Sequence, residues 1–148
     1  MYFRKANLAD LETIISWIPD ELACRMWAGP KVRFPLSIES LSKDIGFSDN
    51  NSYCLIKGEA IFAFGQILTK EKGRLHFARI IVDPSKRAMG YGKRLCNELL
   101  QIAAQKGCKK ISLNVYRSNA QALKLYKNLG FREIAEKSSK ENCFMIKA

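Results

Sequence analysis

Ile80-Ile81-Val82-Asp83-Pro84-Ser85-Lys86-Arg87-Ala88-Met89-Gly90-Tyr91-Gly92-Lys93-Arg94 is the stretch from which the fold of this chain is read. It begins at the end of a strand, residues 75–82, that is apolar on both faces apart from His76 and Arg79, and so belongs in the middle of a sheet. Beyond the loop a helix runs over residues 90–106, with Leu95, Leu99, Ile102 and Ala103 on one stripe and Gly107 as its stop. The next strand is 111–116. A strand, a helix and a second strand in succession form a crossover, which requires parallel pairing of the two strands within a mixed sheet. Gly90 and Gly92, at i and i+2, let the backbone take positive φ and come close to a ligand. The free N–H groups of the first helical turn and the helix dipole then favour an anion, and Arg87, Lys93 and Arg94 add positive charge. The loop reads as a phosphate cradle. The competing reading is a tight strand-to-helix turn that uses glycine for packing alone.

Working outward, Asn7 and Asp10 open a helix over residues 8–18 in which Leu11, Ile14, Ile15 and Ile18 share one face. A second short helix passes through Leu22 and Met26 and is stopped by Gly29-Pro30. Ser37 caps a third, bearing Ile38, Leu41 and Ile45. Residues 52–56 and 60–68 then form a hairpin around Lys57-Gly58-Glu59, and a polar turn at 69–73 leads into the central strand. After the second parallel strand come a helix over 120–129 with Gly130 as its cap, and a closing hairpin of strands 131–135 and 143–147. The resulting string is ααα-ββ-β-α-β-α-ββ, an α/β (α+β) chain, without internal repeat or linker.

A length of 148 residues suits one domain spanning 1–148. With 47% apolar and 26% charged residues, the composition excludes a disordered tail, a collagen-like repeat and a coiled-coil rod. Twenty-five Lys+Arg against 14 Asp+Glu give a formal charge of +11, which points to an anionic partner. The longest strongly apolar run, Ala60-Ile61-Phe62-Ala63-Phe64, is far below the ~20 residues of a membrane helix. Asp10 and Glu12 interrupt the start of the chain before a signal h-region can form, so a cytoplasmic protein is expected. The five cysteines form no CxxC pair, so neither a disulfide framework nor a metal site is indicated, and they read as small core residues.

The loop contains no GxGxxG followed by an acidic residue and no GK[ST] ending. It resembles instead the acetyl-CoA loop of the GNAT superfamily of N-acetyltransferases, through Val82-x-Pro84 and Arg87-x-x-Gly90-x-Gly92. A second stretch is similar to the family as well, most of all to its ribosomal-protein alanine N-acetyltransferase branch. It comprises Asn114-Val115-Tyr116-Arg117-Ser118-Asn119-Ala120, Ala122-Leu123-Lys124-Leu125-Tyr126 and Gly130-Phe131. The resemblance implies a GNAT-like domain with a central mixed, mostly antiparallel twisted sheet, a splayed parallel strand pair and flanking helices. It implies acetyl-CoA as donor, with CoA as product, and transfer to a primary amine by direct attack through a tetrahedral intermediate. The pantetheine arm would pair with the main chain of Ile80, Ile81 and Val82. The pyrophosphate would rest on the amides of Arg87, Ala88, Met89, Gly90, Tyr91, Gly92 and Lys93. Asn119 would contact the cofactor, and Tyr126 would protonate the departing thiolate. A phenol of pKa about 10 is a sensible acid for a thiolate of similar basicity. Equally, an aromatic at helical spacing with Ala122 and Leu129 suits a core position.

The acceptor ammonium must lose a proton before it attacks, and here the chain departs from the family. The alanine-acetylating branch usually has Glu where Asn114 stands, and other branches place a Glu near the position of His76. As the only histidine, His76 is a candidate base. A polar residue bonded to the neighbouring strand, or a water chain to bulk, are the alternatives. Recognition of the acceptor, a small-molecule or peptide amine, falls to the first helices and the following loop, where Trp27, Gly29, Pro30, Arg33 and Phe34 stand together. The edge strand of the last hairpin offers a homodimer contact. Two other functions compete: a non-catalytic acyl-CoA-binding or sensing module, suggested by the absent Glu, and a nucleic-acid-binding domain, suggested by the charge. The latter ranks last, because the basic residues are spread along the chain without aromatic interleaving.

Overall fold

The computed structural model describes residues 1–71 and 73–148. The strands are β1 (Tyr2–Lys5), β2 (Ser52–Lys57), β3 (Ala60–Thr69), β4 (Arg74–Val82), β5 (Lys110–Tyr116), β6 (Arg132–Glu133) and β7 (Asn142–Lys147). The helices are α1 (Asp10–Ser16), α2 (Glu21–Ala28), α3 (Ile38–Asp44), α4 (Tyr91–Gln105) and α5 (Ala120–Asn128). One mixed sheet runs in the order β1-β2-β3-β4-β5-β7-β6, with β4 at its centre. Parallel pairing joins β4 to β5, from Arg74↔Lys110 to Phe77↔Leu113, as the crossover demands. The pairs β1/β2, β2/β3, β5/β7 and β6/β7 are antiparallel. This is the α/β architecture expected from the sequence. The polar turn expected at 69–73 includes Lys72, which lies outside the described residues.

The chain forms two compact units, each made of two stretches: residues 1–66 with 79–98, and 67–78 with 99–148. In the first, Leu11 and Ile14 of α1, Cys24 of α2, Leu41 of α3, Cys54 and Ile56 of β2, Phe64 of β3 and Ile81 of β4 share one buried cluster. In the second, the buried side chains include Leu75 and Phe77 of β4, Leu99 and Ala103 of α4, Leu113 of β5, Tyr126, Phe131 and Met145.

Strand β1 is absent from the sequence-based string: four residues at an edge are too short to show an alternation, and their pairing with β2 supplies the missing signal. The first helix is shorter than expected: it starts at Asp10, its N-cap residue is Ala9 with no side-chain cap hydrogen bond, and the pairing read from Asn7 and Asp10 forms across the turn before it. Asn7 Oδ1 accepts from the Asp10 amide (3.1 Å) while Asp10 Oδ2 accepts from the Asn7 amide (2.8 Å), a reciprocal pair of bonds across that turn. Asp10 is 7% exposed and also receives both terminal nitrogens of Arg4, at 2.7 and 3.0 Å. On α2 the apolar markers Leu22 and Met26 are exposed and Cys24 is the buried residue. The first strand of the closing hairpin shortens to two residues, because Ala135–Lys137 turns into a 3₁₀ helix. No helix among the described residues is long and apolar enough to cross a membrane.

Candidate active site

In the first unit the loop after β4 is built in steps. The Asp83 amide donates to Phe62 O (2.9 Å), and Asp83 Oδ1 accepts from the Ser85 amide (2.9 Å) and hydroxyl (2.8 Å), which starts one 3₁₀ turn over Pro84–Lys86. Phe62 anchors both ends, with the Tyr91 ring edge-on at 4.8 Å and the Lys86 ammonium 5.3 Å from its centroid. Between them the backbone turns at Ala88 (φ 62°) and Gly90 (φ 87°) and enters α4. Gly92 lies inside the first turn of α4 and is not among the glycines at positive φ, so the second left-handed position belongs to Ala88, not to the second glycine of the motif. Among the described residues no protein acceptor meets the backbone N–H groups of residues 87–93. Seven unpaired donors at the start of a fifteen-residue helix, flanked by the exposed cations of Arg87, Lys93 and Arg94, fit a pyrophosphate.

A valine at Gly90 would meet no atom within 4 Å of its Cβ, so its penalty is conformational. An L-residue in this region costs about 1–2 kcal/mol, which disfavours the cradle by the same amount. Gly90→Val is therefore expected to weaken CoA binding about tenfold in calorimetry, with little change in kcat at saturating cofactor.

The remaining predicted site residues lie in the second unit. Tyr126 is 7% exposed, and its orientation follows from how α5 ends. The Phe131 amide donates to Tyr126 O (3.0 Å) and the Gly130 amide to Lys127 O (3.0 Å), with Gly130 at φ 98°. This is a Schellman motif, and the apolar contact that accompanies it is Phe131 against Tyr126, with ring centroids 6.1 Å apart. The Gly-Phe pair thus fixes the tyrosine physically. Asn119 caps α5, its Oδ1 accepting from the Ala122 amide at 3.3 Å. His76 is 8% exposed and its Nδ1 lies 2.8 Å from Ser112 Oγ, a hydroxyl that also receives Arg74 Nη1. Asn114 is exposed, and its Oδ1 accepts from Asn142 Nδ2 at 2.9 Å.

Of the residues nominated for the acceptor, Trp27 joins α2 to β4, because its Nε1 donates to Arg79 O at 2.8 Å. Arg33 is committed elsewhere: its Nε and Nη2 hold both oxygens of Asp44, at 3.0 and 2.9 Å. Two residues that touch the nominated ones went unnoticed, Ser112 beside His76 and Arg79, whose carbonyl holds Trp27. The signal for Arg79 was present, since it is one of only two polar residues in an otherwise apolar strand.

Burial disfavours the thiolate form of four cysteines. Burial pushes Cys54 and Cys96 up to about 12, and raises Cys24 and Cys143 as well.

Three comparisons bear on this geometry. The profile of the acetyltransferase (GNAT) family matches residues 14–131. A ribosomal protein bS18-alanine N-acetyltransferase of Escherichia coli is 32% identical over a match covering 68% of this chain and 66% of that enzyme. A glucosamine 6-phosphate N-acetyltransferase of Trypanosoma brucei is 42% identical over a shorter match, 38% of this chain and 37% of that enzyme. The crystal structure of a PaiA N-acetyltransferase from Thermoplasma acidophilum in complex with coenzyme A superposes with a TM-score of 0.79 at 21% identity, covering 99% of this chain and 97% of that one. Profile, relatives and fold agree with the two motifs, and the chain belongs to the GNAT family of acetyltransferases, enzymes that take their acetyl group from acetyl-CoA.

Proposed function

We propose that the protein transfers an acetyl group from acetyl-CoA to a primary amine by direct attack, without a covalent enzyme intermediate. The observation that carries this reading is the row of unpaired amides at residues 87–93, which suits the diphosphate of CoA. Bound acetyl-CoA supplies an activated thioester. The protein's own contributions are the main chain of Ile80, Ile81 and Val82, which aligns the pantetheine arm, the Asn119 amide, and the Tyr126 hydroxyl, which gives its proton to the leaving sulfur. The raised pKa values of the buried cysteines favour direct transfer over a thioester on the enzyme.

His76 is the proposed base. When its Nδ1 donates to Ser112 Oγ, Nε2 is left with a lone pair; when the hydroxyl donates instead, Nε2 carries the proton. The base role requires the first tautomer. His76→Gln is expected to lower kcat/KM by about 100-fold and to remove the acidic limb of its pH profile. An unchanged limb would transfer the task to solvent.

The test of the whole reading pairs calorimetry of CoA binding with thiol release over a panel of amines, including peptides that begin with alanine, polyamines and amino sugars. The expected result is binding together with release on at least one amine. Binding with no release on any of them would identify an acyl-CoA sensor.

A further inference from the structure

Arg79 is a cation without an anion. Among the described residues no carboxylate pairs with it; Nη1 donates to Gln66 Oε1 at 3.0 Å, and Nε is buried with no acceptor. Burial depresses its pKa, and no neighbouring acid offsets that effect. Every other long-range tie at this position holds the residue in place. Its φ of 53° turns the peptide out of the regular strand, its carbonyl is held by the Trp27 indole, and Gln66 is itself fixed by Ile45 O and Ser52 Oγ, each at 3.1 Å. Trp27 in turn packs edge-on to Phe64, with centroids 6.4 Å apart. The guanidinium is therefore oriented through Nη1 on Gln66, while the Trp27 indole holds the backbone carbonyl of the same residue. With Nη1 on Gln66, the edge formed by Nε and Nη2 has no acceptor among the described residues. That edge matches the two oxygens of a carboxylate or a phosphate. Arg33, the cation that the sequence placed beside Trp27, is already neutralised by Asp44.

Resting on the acetyltransferase reading above, we propose that Arg79 receives an oxyanion, a carboxylate or phosphate carried by the acceptor, so that the enzyme selects amines that bear such a group over their neutral counterparts. Two matched probe pairs separate the sources: glucosamine 6-phosphate against glucosamine, and lysine against 1,5-diaminopentane. Their binding to the protein saturated with CoA is measured by calorimetry, and their acetylation by thiol release. The wild-type protein is expected to favour the anionic member of at least one pair by about 10- to 100-fold, as a charge-assisted pair would give. Arg79→Gln is expected to erase that ratio, and Arg79→Lys, which keeps the charge and loses the fork, to leave a reduced one. Arg33→Gln should leave the ratio within about twofold of the wild type.

Anion-selective binding that is lost in Arg79→Gln without turnover of any amine would uphold the Arg79 assignment and overturn the acetyltransferase reading. Turnover with equal preference within both pairs would do the reverse. A ratio that survives Arg79→Gln, or falls as far in Arg33→Gln, would also overturn the assignment. Should Arg79→Gln fail to fold, the ratio in Arg79→Lys decides: unchanged from wild type, it removes Arg79 from recognition.

Discussion

Replacing Tyr126 by phenylalanine lowers kcat by about 100- to 1,000-fold and leaves CoA binding within a few-fold, if the hydroxyl is the acid for the leaving thiolate. The two outcomes separate because the ring and the hydroxyl do different work. The ring packs against Phe131 and closes the end of α5, so Phe at this position preserves the Schellman turn and the buried apolar surface. Only the proton donor is lost. A thiolate departing without a proton is the harder leaving group, so the deficit should shrink when the acyl donor carries a more acidic thiol. Rates for acetyl-CoA and for an aryl thioacetate, measured on both proteins, check the assignment. A variant that keeps its kcat would return Tyr126 to the core.

Asp10→Ala is expected to cost about 3 kcal/mol of stability. One carboxylate serves the Asn7 amide in the turn before α1, the Arg4 guanidinium and the Cys54 thiol at 3.8 Å. Its removal leaves the Asn7 amide without an acceptor and Arg4 with Lys5 O alone. For a domain of this length that corresponds to a fall in Tm of roughly 10 °C, read by calorimetry or by the urea midpoint. The same group gives a pH dependence whose sign is fixed. Burial alone would raise the Asp10 carboxyl, but the hydrogen bonds from Arg4 and Asn7 outweigh it and hold the group below its ordinary value of 3.8. The folded pKa is thus the lower one, so the stabilisation is complete above about pH 4 and is lost as the pH falls through the folded value. Glu133, held at about 2 by Arg117, contributes in the same direction over the same acid range. The difference in stability between wild type and Asp10→Ala should accordingly narrow below about pH 4.

Much of this was legible because the deciding residues act locally. The β4 loop, its glycine turn and the Gly-Phe end of α5 are read from neighbours in sequence, and the crossover from 75 to 116 follows from connection length alone. The failures have a common cause in contacts that are distant in sequence. Strand β1 exists through its ladder with residues 53–56. Nothing in an arginine announces the left-handed backbone of Arg79, which is held by Trp27, 52 positions away. Arg33 looked free because its partner, Asp44, stands 11 positions on. Gly92 illustrates the converse: a motif glycine suggests positive φ, yet glycine also suits a helical first turn, and only the backbone distinguishes them.

The discontinuity of the two units orders events during synthesis. The polypeptide enters the first unit, leaves it after Gln66 and comes back at Arg79. Until that return, the cluster around Leu11, Ile14 and Phe64 lacks Ile81, Phe62 O has no Asp83 amide, and Gln66 has no guanidinium. A nascent chain that has exposed only its first 66 residues therefore holds helices and a hairpin with an unfinished interior, and the ribosome must deliver residues through about 98 before that interior closes. The stretch that completes it, residues 79–98, also carries the row of unpaired amides at 87–93, so the interior and that loop are delivered in the same interval of translation.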